Sequence, residues 1–234
     1  MGGSMKTQTA LSIIDCMRAL EARGIRASIH NVDSAEIVTA RDIIANMVLQ
    51  SDEWDGLLFI DSDMAFRPDL ILKLVDSNSE VAAAACPRRQ LDLERFAAAT
   101  RDHGNIPRAL AHASDFTVNL DWAGKPVQVH IQDGFVRAAA VGMAIALIAK
   151  SALTALVEAN LVEVRRDLNS TGAQPCYSFF EIAAPQGHRL GEDYSFCHRW
   201  TAQLKRELLV CVDEPVTHLG LYPFRARMAD LTGA

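Results

Sequence analysis

Leu57-Leu58-Phe59-Ile60-Asp61-Ser62-Asp63 is an apolar run that ends abruptly in two carboxylates spaced i, i+2. Four consecutive apolar residues after Gly56 read as a buried strand of the kind found inside a parallel sheet. Stability does not explain its acidic end, because burying an unpaired carboxylate is costly. At the carboxyl edge of an open α/β sheet, however, such residues stand where ligands bind. There they could hold a divalent cation, and through it a phosphate. The plainer alternative is a solvated strand end opening the next helix, since Asp and Ser are common turn residues. Two acids bracketing a small residue exceed what a turn requires, so the functional reading leads.

The flanking segments set this strand in a repeating pattern. Thr7 to Ala22 has helical spacing through Leu11 and Ile14, with Gly24 as a stop. Arg26–Val32 alternates like a strand, and Ser34 can cap a helix from Ala35 to about Gln50. Pro68 opens another helix at its first position, and Val81–Cys86 is a further buried strand stopped by Pro87. This α-β-α-β-α-β order predicts a three-layer α/β/α sandwich with a mostly parallel sheet. Farther on, Phe116–Trp122 and Val127–Ile131 alternate around Ala-Gly-Lys-Pro and read as a small hairpin extension. Val136–Ile148 reads as a strand running into a Lys150–Ala159 helix, and Arg165–Pro175 as a surface loop. Glu192–Leu204 reads as a helix and Leu208–Val212 as a last short strand.

Composition narrows the function classes. The chain has 234 residues, half of them hydrophobic, enough for one full core, and we expect a single domain over 1–234. A net charge of −6 argues against nucleic acid, whose backbone demands clustered Lys and Arg. Cys16, Cys86, Cys176, Cys197 and Cys211 are scattered without a C-x-x-C pair, which predicts isolated thiols in a reducing cytosol. The longest apolar stretch, Ala138 to Ala149, falls short of the roughly 20 residues that span a bilayer. No charged segment followed by an apolar signal core opens the sequence. The expected location is therefore cytoplasmic, peripheral at the membrane if the acceptor is there.

Three further features carry chemistry. Gly191-Glu192-Asp193-Tyr194 sets adjacent acids at a helix start, where capping and dipole complementarity are the simple explanation. A carboxylate there would also be exposed enough to take a proton. His218, in Thr217-His218-Leu219-Gly220, is a lone imidazole of the kind that ligates manganese-like ions beside carboxylates. Arg88 and Arg89, after the Val81–Cys86 strand, point to the same sheet edge, where they could meet phosphate oxygens or lie in solvent.

In this order the clusters resemble a nucleotide-sugar glycosyltransferase of the GT-A fold, of the D-x-D, family 2-like type. The matching pieces are Thr39-Ala40-Arg41-Asp42, Leu57 to Met64, Val141-Gly142-Met143, Gly191 to Tyr194 and His218-Leu219-Gly220. The resemblance implies a Rossmann-like domain and a metal-dependent transfer of a sugar from a nucleoside diphosphate to a hydroxyl of a glycan or lipid-linked acceptor. It implies Asp61, Asp63 and His218 as ligands of Mn2+ or Mg2+, with Asp61 also near the ribose. Asp193 would be the base of an inverting reaction, with Glu192 as neighbour or substitute. Arg41, Arg88 and Gly142 would line the donor pocket. GT-A domains begin with a strand ahead of the first helix, which is missing or truncated here, because only Met1–Lys6 precede Thr7. A free edge of that kind could be filled by a partner, including a second copy.

Two other readings compete. A GT-A-like domain without donor binding would serve as a binding or assembly module. A phosphohydrolase of the haloacid-dehalogenase type also ends a strand in D-x-D. Its pattern continues with Thr or Val where this chain has Ala65.

Overall fold

The computed structural model describes residues 4–32, 34, 36–168 and 175–221. Helix α1 (Thr7–Ala22) has the expected bounds and ends as its glycine predicts. Gly24 takes φ +71°, and the N–H groups of Gly24 and Ile25 close back on the carbonyls of Glu21 and Leu20. Helix α2 spans Ile37–Gln50. Ser34 does not cap it in the usual way; its hydroxyl accepts from the N–H of Glu36 at 3.2 Å, just before the helix. Ala35 lies outside the described residues.

Strand β1 (Gly56–Ile60) forms as read, followed by β2 (Met64–Phe66), α3 (Pro68–Asp76) and β3 (Val81–Ala84). Two helices then intervene that the sequence reading did not resolve, α4 (Leu93–His103) and α5 (Ile106–Ala113). Their caps were visible: Asp92 accepts from the N–H groups of Glu94 and Arg95, Asn105 from that of Arg108, and Gly104 ends α4 at φ +59°.

The expected 116–131 hairpin does not form. Strand β4 is only Val118–Asn119, and it pairs with β6 (Ala140–Val141), while Val127, Val129 and Ile131 stand exposed and outside any strand. The expected Val136–Ile148 strand is broken into β5 (Phe135–Arg137), β6 and β7 (Ile145–Ala149), with Gly142 at the start of the second break. Helix α6 (Lys150–Glu158) follows β7 directly. Helix α7 (Glu192–Cys197) continues as a wider π-turn segment to Gln203, before β8 (Leu209–Cys211) and β9 (Val216–His218).

The main sheet has the order β1-β7-β3-β8-β5. It is mixed and mostly antiparallel, against the mostly parallel expectation: only β3 and β8 pair in parallel. The physical cause is β7, which inserts antiparallel between β1 and β3 and separates two strands that point the same way. Strand alternation divides the core. Val81 and Ala83 face α2, α6 and α7 through Ala45, Leu153 and Phe196; Ala82 and Ala84 face α1 and α3 through Leu20, Leu70 and Leu74. Arg26–Val32 does not become a strand; among the described residues it makes no backbone–backbone hydrogen bond. A strand pattern without a neighbouring strand cannot satisfy its own backbone.

Helix α2 is fastened to the 176–180 segment by buried polar groups. Asn46 donates to the Tyr177 carbonyl at 2.8 Å and accepts from its N–H at 2.7 Å. Asp42 is fully buried, accepts from the Phe180 N–H at 2.9 Å and pairs with Arg165 at 3.2 Å. Burial pushes the Asp42 carboxyl up to about 6, against the opposing pull of the Phe180 N–H and Arg165. A carboxyl with a raised folded-state pKa binds its proton more tightly in the fold than in the unfolded chain. Its contribution to stability is therefore greatest below the ordinary carboxylate range and falls as pH rises to about 6. Urea unfolding of the protein and of Asp42→Asn, compared across that interval, is expected to show a stability difference that moves against the protein with rising pH. A pH-independent difference would refute the assignment.

Candidate functional site

Asp61 is the first residue beyond β1, and its N–H donates to the Ala144 carbonyl at 2.8 Å, so the ladder with β7 carries it one pair past the strand. Asp63 sits at the turn into β2. The short β2–β9 ladder sets Met64 opposite His218, and the Leu219 N–H donates to the Asp63 carbonyl at 2.8 Å. Two motifs far apart in sequence are thereby tied by backbone hydrogen bonds.

His218 Nδ1 lies 2.8 Å from the Pro87 carbonyl. A carbonyl only accepts, so Nδ1 carries the proton and Nε2 is left facing Asp63 Oδ2 at 3.4 Å. This is the arrangement by which a ligating histidine is oriented through its other nitrogen. Arg89 donates to the same Asp63 oxygen at 3.0 Å. Arg88, which the resemblance sets in the donor pocket, is exposed and holds the Asp115 carbonyl through its backbone N–H. Arg89 is thus the one that reaches the acids.

Arg41 joins the clusters. Its side chain is only 5% exposed; it forms an ion pair with Asp193 and stands 3.7 Å from Asp61 Oδ1 and 3.9 Å from Glu192 Oε1. Its guanidinium carbon lies 5.6 Å from the ring centres of both Phe59 and Phe180. Burial pulls the Arg41 pKa down, opposed by Asp61 and Glu192. Burial likewise pushes the Asp61 carboxyl up, opposed by Arg41 and assisted by Asp63. The donor contact expected of Arg41 is accompanied by a structural role, since its charge faces three carboxylates. No local signal marked that role, because the partners are supplied from β1 and α7.

Asp193 is held from both sides. One carboxylate oxygen accepts from the Met143 N–H at 2.9 Å and the other meets Arg41. Glu192, beside it, has only the longer approach to Arg41. The Gly142 N–H donates to the Thr117 carbonyl at 2.8 Å; a side chain at Gly142 would meet the Thr117 hydroxyl at 2.7 Å. Its small size therefore serves packing against Thr117 and leaves Asp193 Oδ2 close by, 3.8 Å from that point.

Among the described residues no group of three or more His, Cys, Asp and Glu side chains stands close enough to hold a metal ion. Asp63 and His218 form a pair, with Asp61 attached to Arg41. Likewise, no described helix is long and apolar enough to cross a membrane.

No family model matches the chain, and no curated protein matches it. Eight chains of solved structures match. One is the crystal structure of A197 from STIV, 15% identical, with a TM-score of 0.46, over 93% of this chain and 81% of that one. A likeness of that degree assigns neither a fold family nor an activity.

Removing the Arg41 charge leaves Asp193 and its neighbours unpaired next to the core. Arg41→Met is expected to cost about 3 kcal/mol of unfolding free energy, since breaking a buried ion pair from one side is strongly destabilising. Urea denaturation at neutral pH measures it; a loss under about 0.5 kcal/mol, the range of ordinary surface substitutions, would remove Arg41 from its place at the centre of the site.

Proposed function

We propose that this chain is a GT-A-like domain that transfers a sugar from a nucleoside diphosphate donor to a glycan or lipid-linked hydroxyl. The observation that supports this reading most is the meeting of two groups from three distant parts of the sequence at the end of β1: Asp61, Glu192 and Asp193 on Arg41, and Asp63 with His218 beside Asp61. The common direction of β1, β3 and β8 is also compatible with that fold.

By residue type Asp61, Asp63 and His218 suit a hard divalent cation such as Mn2+ or Mg2+, although the three do not stand close enough together here to hold one. Two carboxylates and an imidazole whose Nδ1 is held by a backbone carbonyl leave positions for diphosphate oxygens and water. When bound, the cation would neutralise charge developing on the leaving diphosphate. Asp61, Asp63 and His218 would hold it. Arg89, now on Asp63, is placed to turn to a phosphate oxygen once that carboxylate is engaged. Asp193 is the base in this reading. The Met143 N–H and Arg41 fix its orientation, and each carboxylate oxygen keeps a lone pair for the acceptor proton. Glu192 is the substitute, with the less encumbered carboxylate.

One observation favours a second reading, a binding domain without turnover: Asp63 and Asp193 are both already neutralised by arginines. Calorimetric titration with UDP, GDP and dTDP, with and without manganese, separates the two. The transferase reading expects manganese-dependent binding of at least one nucleotide, lost in Asp63→Ala; no binding to any of them would discard it. Asp193→Asn is expected to retain that binding and lose sugar transfer. Full transfer by Asp193→Asn, with none by Glu192→Gln, would exchange the roles of the two acids.

A further inference from the structure

The three residues that the transferase reading sets around a cation do not converge here, and both acids are held apart in the same way. Each is engaged by an arginine from another element. Asp61 stands 3.7 Å from Arg41, and Asp63 Oδ2 accepts from Arg89 at 3.0 Å. The two arginines differ in how firmly they are fixed. Arg41 is buried over the Phe59 and Phe180 rings among three carboxylates, with 5% of its side chain exposed. The Arg89 side chain is 57% exposed, and among the described residues its guanidinium makes that one hydrogen bond.

The chain leading to Arg89 is pinned beside the imidazole. The Pro87 carbonyl holds His218 Nδ1, and the Arg88 N–H donates to the Asp115 carbonyl at 2.7 Å. The aliphatic stem of Arg89 lies along Gly220, where an added side-chain carbon would stand 3.3 Å from Arg89 Cδ. Its guanidinium thereby meets the same Asp63 oxygen that His218 Nε2 faces at 3.4 Å. A cation shared by Asp63 and His218 needs that oxygen, and two positive charges on one oxygen repel. Arg89 and the cation therefore compete for it. An ion pair this exposed favours its closed state by a factor of about five or less. A phosphate offers the same guanidinium two oxygens in a matching fork.

We propose that Arg89 is a latch on the Asp63–His218 pair. It holds the Asp63 oxygen in the absence of ligand and leaves it for a diphosphate, so that divalent cation and diphosphate enter together and each favours the other. This deepens the transferase reading and rests on its cation site. Arg89 acts as a positioning residue that makes cation binding conditional on the anion, while Arg41 stays in place throughout.

The test compares the whole protein with two variants. Arg89→Met keeps the stem along Gly220 and removes the charge; Arg67→Met removes an equal charge from the exposed pair with Asp69. Free manganese counted by electron paramagnetic resonance gives the affinity for Mn2+ alone, and calorimetry gives that for preformed manganese pyrophosphate. Arg89→Met is expected to bind Mn2+ alone about fivefold more tightly than the protein does, and manganese pyrophosphate about tenfold more weakly. Arg67→Met is expected to change either by less than about twofold. The opposite signs mark a latch, since a residue that merely supported the fold would weaken both on removal. Mn2+ binding that Arg89→Met leaves unchanged or weakens, or manganese pyrophosphate binding that it leaves unchanged, would overturn the latch and leave the transferase reading standing. An equal gain in Arg67→Met would also overturn it, as a general effect of charge. No Mn2+ binding by any of the three proteins, with or without pyrophosphate, would overturn the latch and the cation site together.

Discussion

A single buried guanidinium holds the acidic end of this structure together. Arg41 enters from α2, lies over the paired rings of Phe59 and Phe180, and meets carboxylates that arrive on β1 and α7. Without it, Asp61 and Asp193 would bring like charges together at the margin of an apolar core, where desolvation and repulsion add. With it, α2, β1 and α7 share one electrostatic centre. The aromatic faces let a cation stay where water is scarce, and the paired acids keep it charged despite burial.

The rest of the site hangs on short backbone ladders. The β2–β9 pairing is only three residues long, yet it fixes His218 against Asp63 and leaves the imidazole with a defined tautomer through Pro87. The Gly142 break does the same for the other acid. By turning the chain between β6 and β7 it exposes the Met143 N–H to Asp193. In both places a polar side chain is positioned by main-chain groups whose geometry the sheet enforces, so its conformational entropy is already spent in the fold. The opposite margin of β1 is built otherwise. There the backbone groups of Leu58 and Ile60 face an apolar groove and meet no strand among the described residues, beside the acidic cluster at the strand's end.

What could be read along the chain was local. The bounds of α1, the β1 strand with its two terminal acids, Pro68 at the start of α3 and the all-buried β3 follow from periodicity, punctuation and burial of apolar runs. The acids and the late histidine were also legible as residue types out of keeping with their surroundings. Their assembly was not. Sequence alone could not reveal that Arg89 meets Asp63, or that Arg41 pairs with carboxylates from β1 and α7, because each depends on partners twenty or more residues away. Asp92, Gly104 and Asn105 were cap signals that could have located α4 and α5.

Strand direction shows most clearly where local reading ends. Alternating helices and strands predicted a mostly parallel sheet, and the sequence by itself did determine an α/β chain with apolar strands and helices to cover both faces. Tertiary structure alone decided that β7 would lie antiparallel between β1 and β3, and that neither Val127–Ile131 nor Arg26–Val32 would pair with a strand among the described residues. A strand's side-chain pattern specifies which face is buried and is silent about which neighbour supplies its hydrogen bonds. That choice is made by the whole sheet at once.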